Sequence, residues 1–259
     1  MKRKIANFYR EFIALIKAVP ALLLTCFVIA IISMNLLANK SINLPTEYLA
    51  LDCGILVSWV VFLTMDIATK HFGPKAATEL SIFALLINLV FCLIFFIASE
   101  VAGEWGESFV EGSEAVINGA LDRTFGGTWY VLLGSSVAFI VSAIVNNFLN
   151  EGIGLAFKKN PDSAAAYICR AYISTAVGQF IDNITFAFIV SRVFFGWSVV
   201  QCITCAATGM LVELLCEFIF APIGIAVCRR LKRDGVGAEY FALVEANKNS
   251  VSVNEGEAQ

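Results

Sequence analysis

The stretch Glu79–Ser99, "ELSIFALLINLVFCLIFFIAS", decides the fold of this 259-residue chain. Its only charged residue is the first one, and the length matches the roughly 20 apolar residues that a helix needs to cross a bilayer. The rest of the chain has the same character, because 59% of its residues are hydrophobic and 15% are charged. Soluble domains carry about 25% charged residues. The composition therefore predicts a polytopic membrane protein.

Six stretches of this kind predict an all-α integral membrane protein with six transmembrane helices. They lie at about 19–38, 50–69, 79–99, 128–149, 164–191 and 199–228. No small-residue cleavage site follows the first stretch, so we expect a retained helix and not a signal peptide. The predicted organisation is an N-terminal segment (1–18), a membrane domain (19–230) and a polar tail (231–259) that is disordered or only partly helical.

The distribution of basic residues predicts the orientation. Cytoplasmic loops of membrane proteins carry an excess of Lys and Arg. Most of the 18 basic residues lie in the N-terminal segment, in the tail, or in two connections that contain Lys70 and Lys75, and Lys158 and Lys159. The connection 100–127 instead holds six acidic residues and one basic residue. We therefore expect both termini in the cytoplasm and the protein in the cell (inner) membrane.

Several function classes find no support in the sequence. The formal net charge is -3 and no basic stripe lies outside the loops, so we expect no nucleic-acid partner. No nucleophile with a base partner and no nucleotide-binding motif is present, so neither an enzyme nor a cofactor is predicted. Cys202 and Cys205 form a C-x-x-C pair, but the chain has one His and no second pair, so we predict no metal site.

The fifth predicted span contains an unusual polar segment, "VGQFIDNITFAF" at Val177–Phe188. Gln179, Asp182 and Asn183 are spaced so that they share one face of a helix. A carboxylate inside a membrane is expensive, and it is a functional hypothesis by default. We therefore predict that Asp182 binds a ligand or a proton. The alternative is a structural Asp satisfied by a neighbouring hydroxyl or by an arginine; Arg170, roughly 18 Å away along the helix, is too distant to pair directly.

The sixth span adds two acids. Glu213 and Glu217 are spaced i, i+4 on one helix face. Two like charges one turn apart do not both ionise readily in a low dielectric, which suits a proton-coupled site. Pro222 follows and removes one hydrogen bond from the helix ladder.

Four further residues are candidates with weaker signals. Asn35 and Asn146 are polar residues within the first and fourth spans, and Phe186 could stack on a planar ligand. Asp66 stands four residues before Lys70, which favours a helical ion pair, so its role is either coupling or structural. Gly134 and Gly178 are interpreted as packing positions, because small residues let membrane helices approach closely.

Four segments in this order resemble one family. They are "FLTMDIATKHFGPKAA" (62–77), "LGSSVAFIVSAIVNNF" (133–148), "GQFIDNITFAFI" (178–189) and "ELLCEFIFAPIG" (213–224). The chain resembles the vitamin uptake transporter family, also known as queuosine precursor transporters, from about residue 20 to 230.

This resemblance implies import of a 7-deazaguanine, that is queuine or its cyano or aminomethyl precursor, for transfer RNA modification. It also implies a fold akin to the substrate-binding subunits of energy-coupling-factor vitamin transporters. Asp182 or Glu217 would accept the donor edge of this purine-like substrate, and the other would couple protons or orient the first. Gln179, Asn183, Glu213, Asn146 and Phe186 complete the predicted site.

Other interpretations remain open at this point. The chain could be a capture subunit that needs an ATP-driven partner and carries another small heterocycle, or a scaffold in which the polar stripe only joins helices. A homodimer and protons as coupling ion are likewise open. The sequence departs from the family at three positions. Many members carry Gln and Asp in the fourth helix, where this chain has Ala143 and Asn146. Lys is common in the sixth helix, where this chain has Glu213. Asn146 cannot relay protons, and Glu213 changes the charge of the cavity.

Overall fold

A computed structural model describes residues 2–42, 44–46, 48–106, 110–156 and 173–256, and it is helical apart from one small strand pair. The helices are α1 Lys2–Ala18, α2 Ala21–Leu37, α3 Ile55–Phe72, α4 Pro74–Glu100, α5 Glu114–Gly126, α6 Thr128–Ala156, α7 Ser174–Phe186, α8 Val199–Arg233 and α9 Ala238–Gly256. Helix α7 continues as a π-helical turn, Ala187–Ser191, and a last turn, Arg192–Phe194.

Five helical segments of the described chain are long and apolar enough to cross a membrane, and the number is six if α1 and α2 count as one span. The helical axes of Ala6–Ala18 and Ala21–Leu37 differ by 101°. The break falls at Val19 and Pro20, because a residue before proline disfavours the helical conformation. The prediction of a helical protein with multiple membrane spans is thus confirmed.

The turn between α3 and α4 follows from two residues of the segment "HFGP". Gly73 has a φ of 96°, a left-handed conformation that favours glycine at the end of a helix. Pro74 then occupies the first position of α4, where the missing N–H leaves no hydrogen bond unmade. The sequence therefore specifies a tight reversal between these two helices.

A short hairpin precedes α3. Strands β1 (Ser41–Ile42) and β2 (Leu51–Asp52) pair antiparallel, with Ser41 opposite Asp52. The backbone N–H of Cys53 donates to the Lys40 carbonyl over 2.7 Å. This pairing fixes the backbone of Asp52 immediately before the third helix begins.

The connection 100–127, predicted as a loop, contains the helix α5. The Trp105 indole N–H donates to Asp122 over 2.9 Å, and the indole stacks on Phe125 with ring centroids 5.1 Å apart. These aromatic contacts give α5 an apolar side to pack, which the acidic composition of the connection did not indicate.

The tail also differs from the expectation that it is disordered or only partly helical. It forms α9, in which Tyr240 is 3% exposed and Phe241 stacks on Phe72 with centroids 6.0 Å apart. The Asn247 amide donates to Glu11 over 2.6 Å. The helix is therefore held by two aromatic side chains and a polar contact with α1.

The chain divides into two compact units. The first comprises Met1–Ile29, Val60–Ala84 and Phe220–Gln259, and the second comprises Ala30–Trp59 and Leu85–Ile219. In the first unit Ile67, Cys228 and Leu231 form a buried apolar cluster. In the second unit Ala38, Val131 and Val190 do so.

The close packing of α6 in the second unit depends on Gly134. A Cβ at this position would overlap the Val190 side chain, so the glycine allows the π-helical turn to lie directly against α6. This agrees with the interpretation of Gly134 as a packing residue. The start of the fifth predicted span, with Arg170, lies outside the described residues. So does the connection before it, with Lys158 and Lys159.

Candidate substrate site

Asp182 lies on α7 where this helix packs against α6. The Ser142 hydroxyl is 3.1 Å from Asp182 Oδ1 and 3.1 Å from the Phe139 carbonyl oxygen. A hydroxyl has one hydrogen to donate, so it serves one of these acceptors at a time. The Asp182 carboxyl therefore has a neighbouring hydroxyl, as the structural interpretation expected, but retains acceptor capacity.

Asn183 connects α7 to the acid Glu213 on α8. Its amide Nδ2 donates to Glu213 Oε2 over 3.1 Å, and Glu213 is 6% exposed. Gly209 lies one turn before Glu213, and a Cβ there would come within 2.9 Å of the Asn183 amide nitrogen. The absent side chain at Gly209 is what allows α8 to accommodate the amide, so this contact depends on three residues from two helices.

Gln179 supplies an unsatisfied acceptor. It is 7% exposed, and its Oε1 is buried without a hydrogen-bond partner among the described residues. A buried polar atom of this kind costs about 1–3 kcal/mol, and most are satisfied in native proteins. Gln179 stands three and four residues before Asp182 and Asn183, so all three lie on one face of α7. Asn35, on α2, likewise has a buried Nδ2 without a partner.

Asp52 is a further candidate residue, which the sequence analysis did not consider. Its Oδ1 accepts the Gly54 N–H over 2.8 Å, and the thiol of Cys205 on α8 faces its backbone. The segment "LDCG" held a signal for this residue, because it places an acid within apolar sequence.

The titration of Asp52, which precedes the helix α3, gives a first prediction. Burial raises the pKa of this carboxyl to about 6, and the hydrogen bond from the Gly54 N–H offsets part of that rise. The ordinary value is 3.8, so between about pH 4 and 6 the folded protein binds more protons at Asp52 than the unfolded chain does. Stability from this group is therefore full below about pH 4 and is lost as pH rises to about 6.

Thermal unfolding in detergent from pH 4 to 8 checks this. The variant Asp52→Asn keeps an oxygen for the Gly54 N–H and does not titrate. We expect it to gain stability relative to the parent as pH rises through the window, with no further change above about pH 7. A constant difference across the whole range would show that burial does not raise the pKa of Asp52 in the folded protein.

The site is rich in acceptors and lacks cations. Within the described part of the chain, no Lys, Arg or His is paired with Asp52, Asp182 or Glu213, whereas other acids such as Asp66 have such partners. Nor do the described His, Cys, Asp and Glu side chains form a group of three that could hold a metal ion. Among the described residues, protons or a bound molecule are thus left to compensate the charge of these carboxyls.

Three other predicted site residues, Glu217, Phe186 and Asn146, lie on three different helices. Glu217 lies one turn beyond Glu213 and is half-buried, and Phe186 packs against the cluster of Ala38, Val131 and Val190. The side chain of Asn146, like that of Ala143, lies outside the described side chains.

Asp66 and Lys70, both on α3, belong to the first unit. The Asp66 carboxylate pairs with Lys70 Nζ at 2.7 Å, which confirms the expected i, i+4 pair. This pair gives Asp66 a partner within its own helix, which favours a structural role.

A multi-span helical protein with a buried carboxyl, Glu213, and a half-buried one, Asp182, on its membrane helices has the features of a membrane transporter. A family comparison agrees: residues 52–227, more than half of the chain, match the family described as "Putative vitamin uptake transporter". The chain belongs to this family. No curated protein matches it, and no solved structure does.

Membership of this family establishes three points. The protein is a multi-pass membrane protein, it belongs to a transporter family and not to an enzyme family, and its substrate is a small molecule. The matched region begins at Asp52 and includes Asp182, Asn183 and Glu213.

Proposed function

We propose that this protein imports a 7-deazaguanine, that is queuine or its cyano or aminomethyl precursor, across the cell membrane for transfer RNA modification. The observation that supports this most directly is the set of buried acceptors on one face of α7 and the facing side of α8. Family membership supports uptake of a small molecule, and the segments resembling queuosine precursor transporters support this substrate class.

The chemistry of the substrate fits these acceptors. The ring of a 7-deazaguanine presents an N1–H beside an exocyclic amine, and a carboxylate can accept both in a bidentate arrangement. We assign this edge to Asp182, whose neighbours on α7 are Gln179 and Asn183. The orphaned Gln179 Oε1 would gain a donor when the ligand binds, so the cost of leaving it unsatisfied is removed in the complex.

Glu213 and Glu217 are assigned to coupling or to orienting the first acid. Glu213 is held by Asn183, a direct neighbour of Asp182 in the chain. A change of protonation at Glu213 would alter the hydrogen bond that Asn183 donates, and so couple proton binding to the ligand site. Protons are therefore the proposed coupling ion.

The second interpretation is a capture subunit that works only with an ATP-driven partner. Uptake by purified protein in liposomes without ATP separates the two. We expect saturable uptake of radiolabelled queuine or a precursor. Binding without uptake would favour the capture subunit, and neither binding nor uptake of any of the three compounds would contradict the proposed substrate class.

A further inference from the structure

Helix α1 is charged, whereas helix α2, which follows it, is not. The segment Lys2–Ala18 contains five basic residues and one acidic residue, and Ala21–Leu37 contains neither kind. The 17 residues of α2 are within the length range of helices that cross a bilayer. The 101° between the axes of Ala6–Ala18 and α2 therefore turns α1 toward the plane of the membrane surface.

One side of α1 is covered by the protein. Leu15 is fully buried and Glu11 is 7% exposed. Lys75 Nζ, on α4, lies 2.6 Å from Glu11 Oε2, and the Asn247 amide, on α9, donates to Glu11 Oε1 over 2.6 Å. The one acid of α1 is thus compensated by other helices of the first unit and does not neutralise the basic residues of its own helix.

The other side of α1 carries a basic stripe. Arg3, Arg10 and Lys17 are spaced seven residues apart, about two helical turns, so they occupy one line along the helix. Arg10 and Lys17 are exposed, and neither forms an ion pair with a described acid. A stripe of this kind is complementary in charge to the phosphates of anionic lipids.

An apolar flank lies between these two sides. Tyr9, Ile13 and Ile16 follow the i, i+4, i+7 spacing of one helix face. Tyr9 is 64% exposed, and the two isoleucines are half-buried. Tyrosine is enriched at the membrane–water interface, where its ring and its hydroxyl meet different surroundings. An apolar flank beside a basic stripe is the pattern of helices that lie in this interface.

We infer that α1 lies on the membrane surface and binds anionic phospholipid headgroups. The basic stripe contacts the phosphates, and the apolar flank enters the layer below them. Each basic residue near an anionic surface contributes about fivefold in affinity. Helix α1 belongs to the first unit and the candidate substrate site to the second, so this inference does not depend on which molecule is transported.

Hydrogen exchange of the full chain in nanodiscs tests this, with phosphatidylcholine alone or mixed with phosphatidylglycerol. Bound headgroups hold α1 closed, so its amides exchange only after this contact is broken. We expect exchange in α1 to be at least about tenfold slower in the mixed lipid, and this difference to shrink at high salt. The double variant Arg10→Gln, Lys17→Gln should lose most of the difference. The double variant Lys40→Gln, Arg123→Gln removes the same charge from exposed side chains elsewhere and should keep it.

Three outcomes would overturn the inference. The first is equal exchange of α1 in the two lipid compositions, and the second is an undiminished difference after the loss of Arg10 and Lys17. The third is an equal loss of the difference in both double variants, because net charge alone would then explain it. None of these measurements involves the transported molecule, so each of these outcomes leaves the proposed function standing.

Discussion

Asp182→Ala should abolish rescue in a queuosine-deficient host that lacks its own importer. With the parent gene and a low dose of precursor, that host should regain modified transfer RNA. The variant removes the acceptor assigned to the two donors of the deazaguanine edge. Each hydrogen bond to a charged group is worth about 1.5–3 kcal/mol, so the loss of two corresponds to at least about 100-fold in affinity. The measurement is the fraction of transfer RNA carrying queuosine at equal membrane expression.

Two variants control this experiment. Asp122→Asn alters an acid on α5 and should rescue like the parent. Asp182→Asn keeps one acceptor oxygen for the Ser142 hydroxyl but loses the charge, so we expect rescue only at high precursor dose. Full rescue by Asp182→Ala would exclude Asp182 from substrate binding. If that variant lowered thermal stability without weakening ligand binding, the polar stripe would serve only to join helices.

Gly134→Ala should produce the second large effect, on folding. The added methyl group would overlap Val190, which is fully buried and β-branched, so its side chain has few alternative rotamers. Overpacking of this kind costs about 1–3 kcal/mol and sometimes more. We expect a clearly lower unfolding temperature in detergent and a smaller yield of monodisperse protein.

Gly152→Ala on the same helix is the matched control. A Cβ there would meet no described atom within 4 Å, and alanine is the better helix former by about 1 kcal/mol. That variant should be neutral or slightly stabilised. Equal stability of Gly134→Ala and Gly152→Ala would mean that α6 and the π-helical turn do not pack as closely as the structure has them.

Much of the architecture could be predicted from local sequence. An apolar run of span length has one stable conformation in a bilayer, because every backbone group must be bonded within the segment. The segment "HFGP" likewise specifies its own turn through Gly73 and Pro74. The i, i+4 pair of Asp66 and Lys70 needs no information beyond helix geometry.

The site could be predicted only in part. Periodicity placed Gln179, Asp182 and Asn183 on one face, because that face belongs to a single helix. The contact of Asn183 with Glu213 depends on how two helices meet, and Gly209 permits it. The hairpin fixes the position of Asp52, and no helical pattern indicates that pairing of strands.

The polar helices α5 and α9 were missed for a related reason. A segment of low hydrophobicity is expected to be disordered unless it finds apolar surface to cover. Trp105 provides that contact for α5, and Phe72 provides it for α9. One aromatic residue outside each helix decides it, Trp105 in the preceding loop and Phe72 at the end of α3, and these contacts are known only once the fold is known.

Uptake into liposomes that contain only the purified protein tests the central claim most directly. Radiolabelled queuine or aminomethyl precursor is added outside, without ATP and with a pH gradient that can be collapsed. We predict saturable uptake that exceeds that of empty liposomes, falls when the gradient is collapsed and is absent with Asp182→Ala. Uptake no greater than in empty liposomes, from a protein that is folded and correctly inserted, would contradict the account.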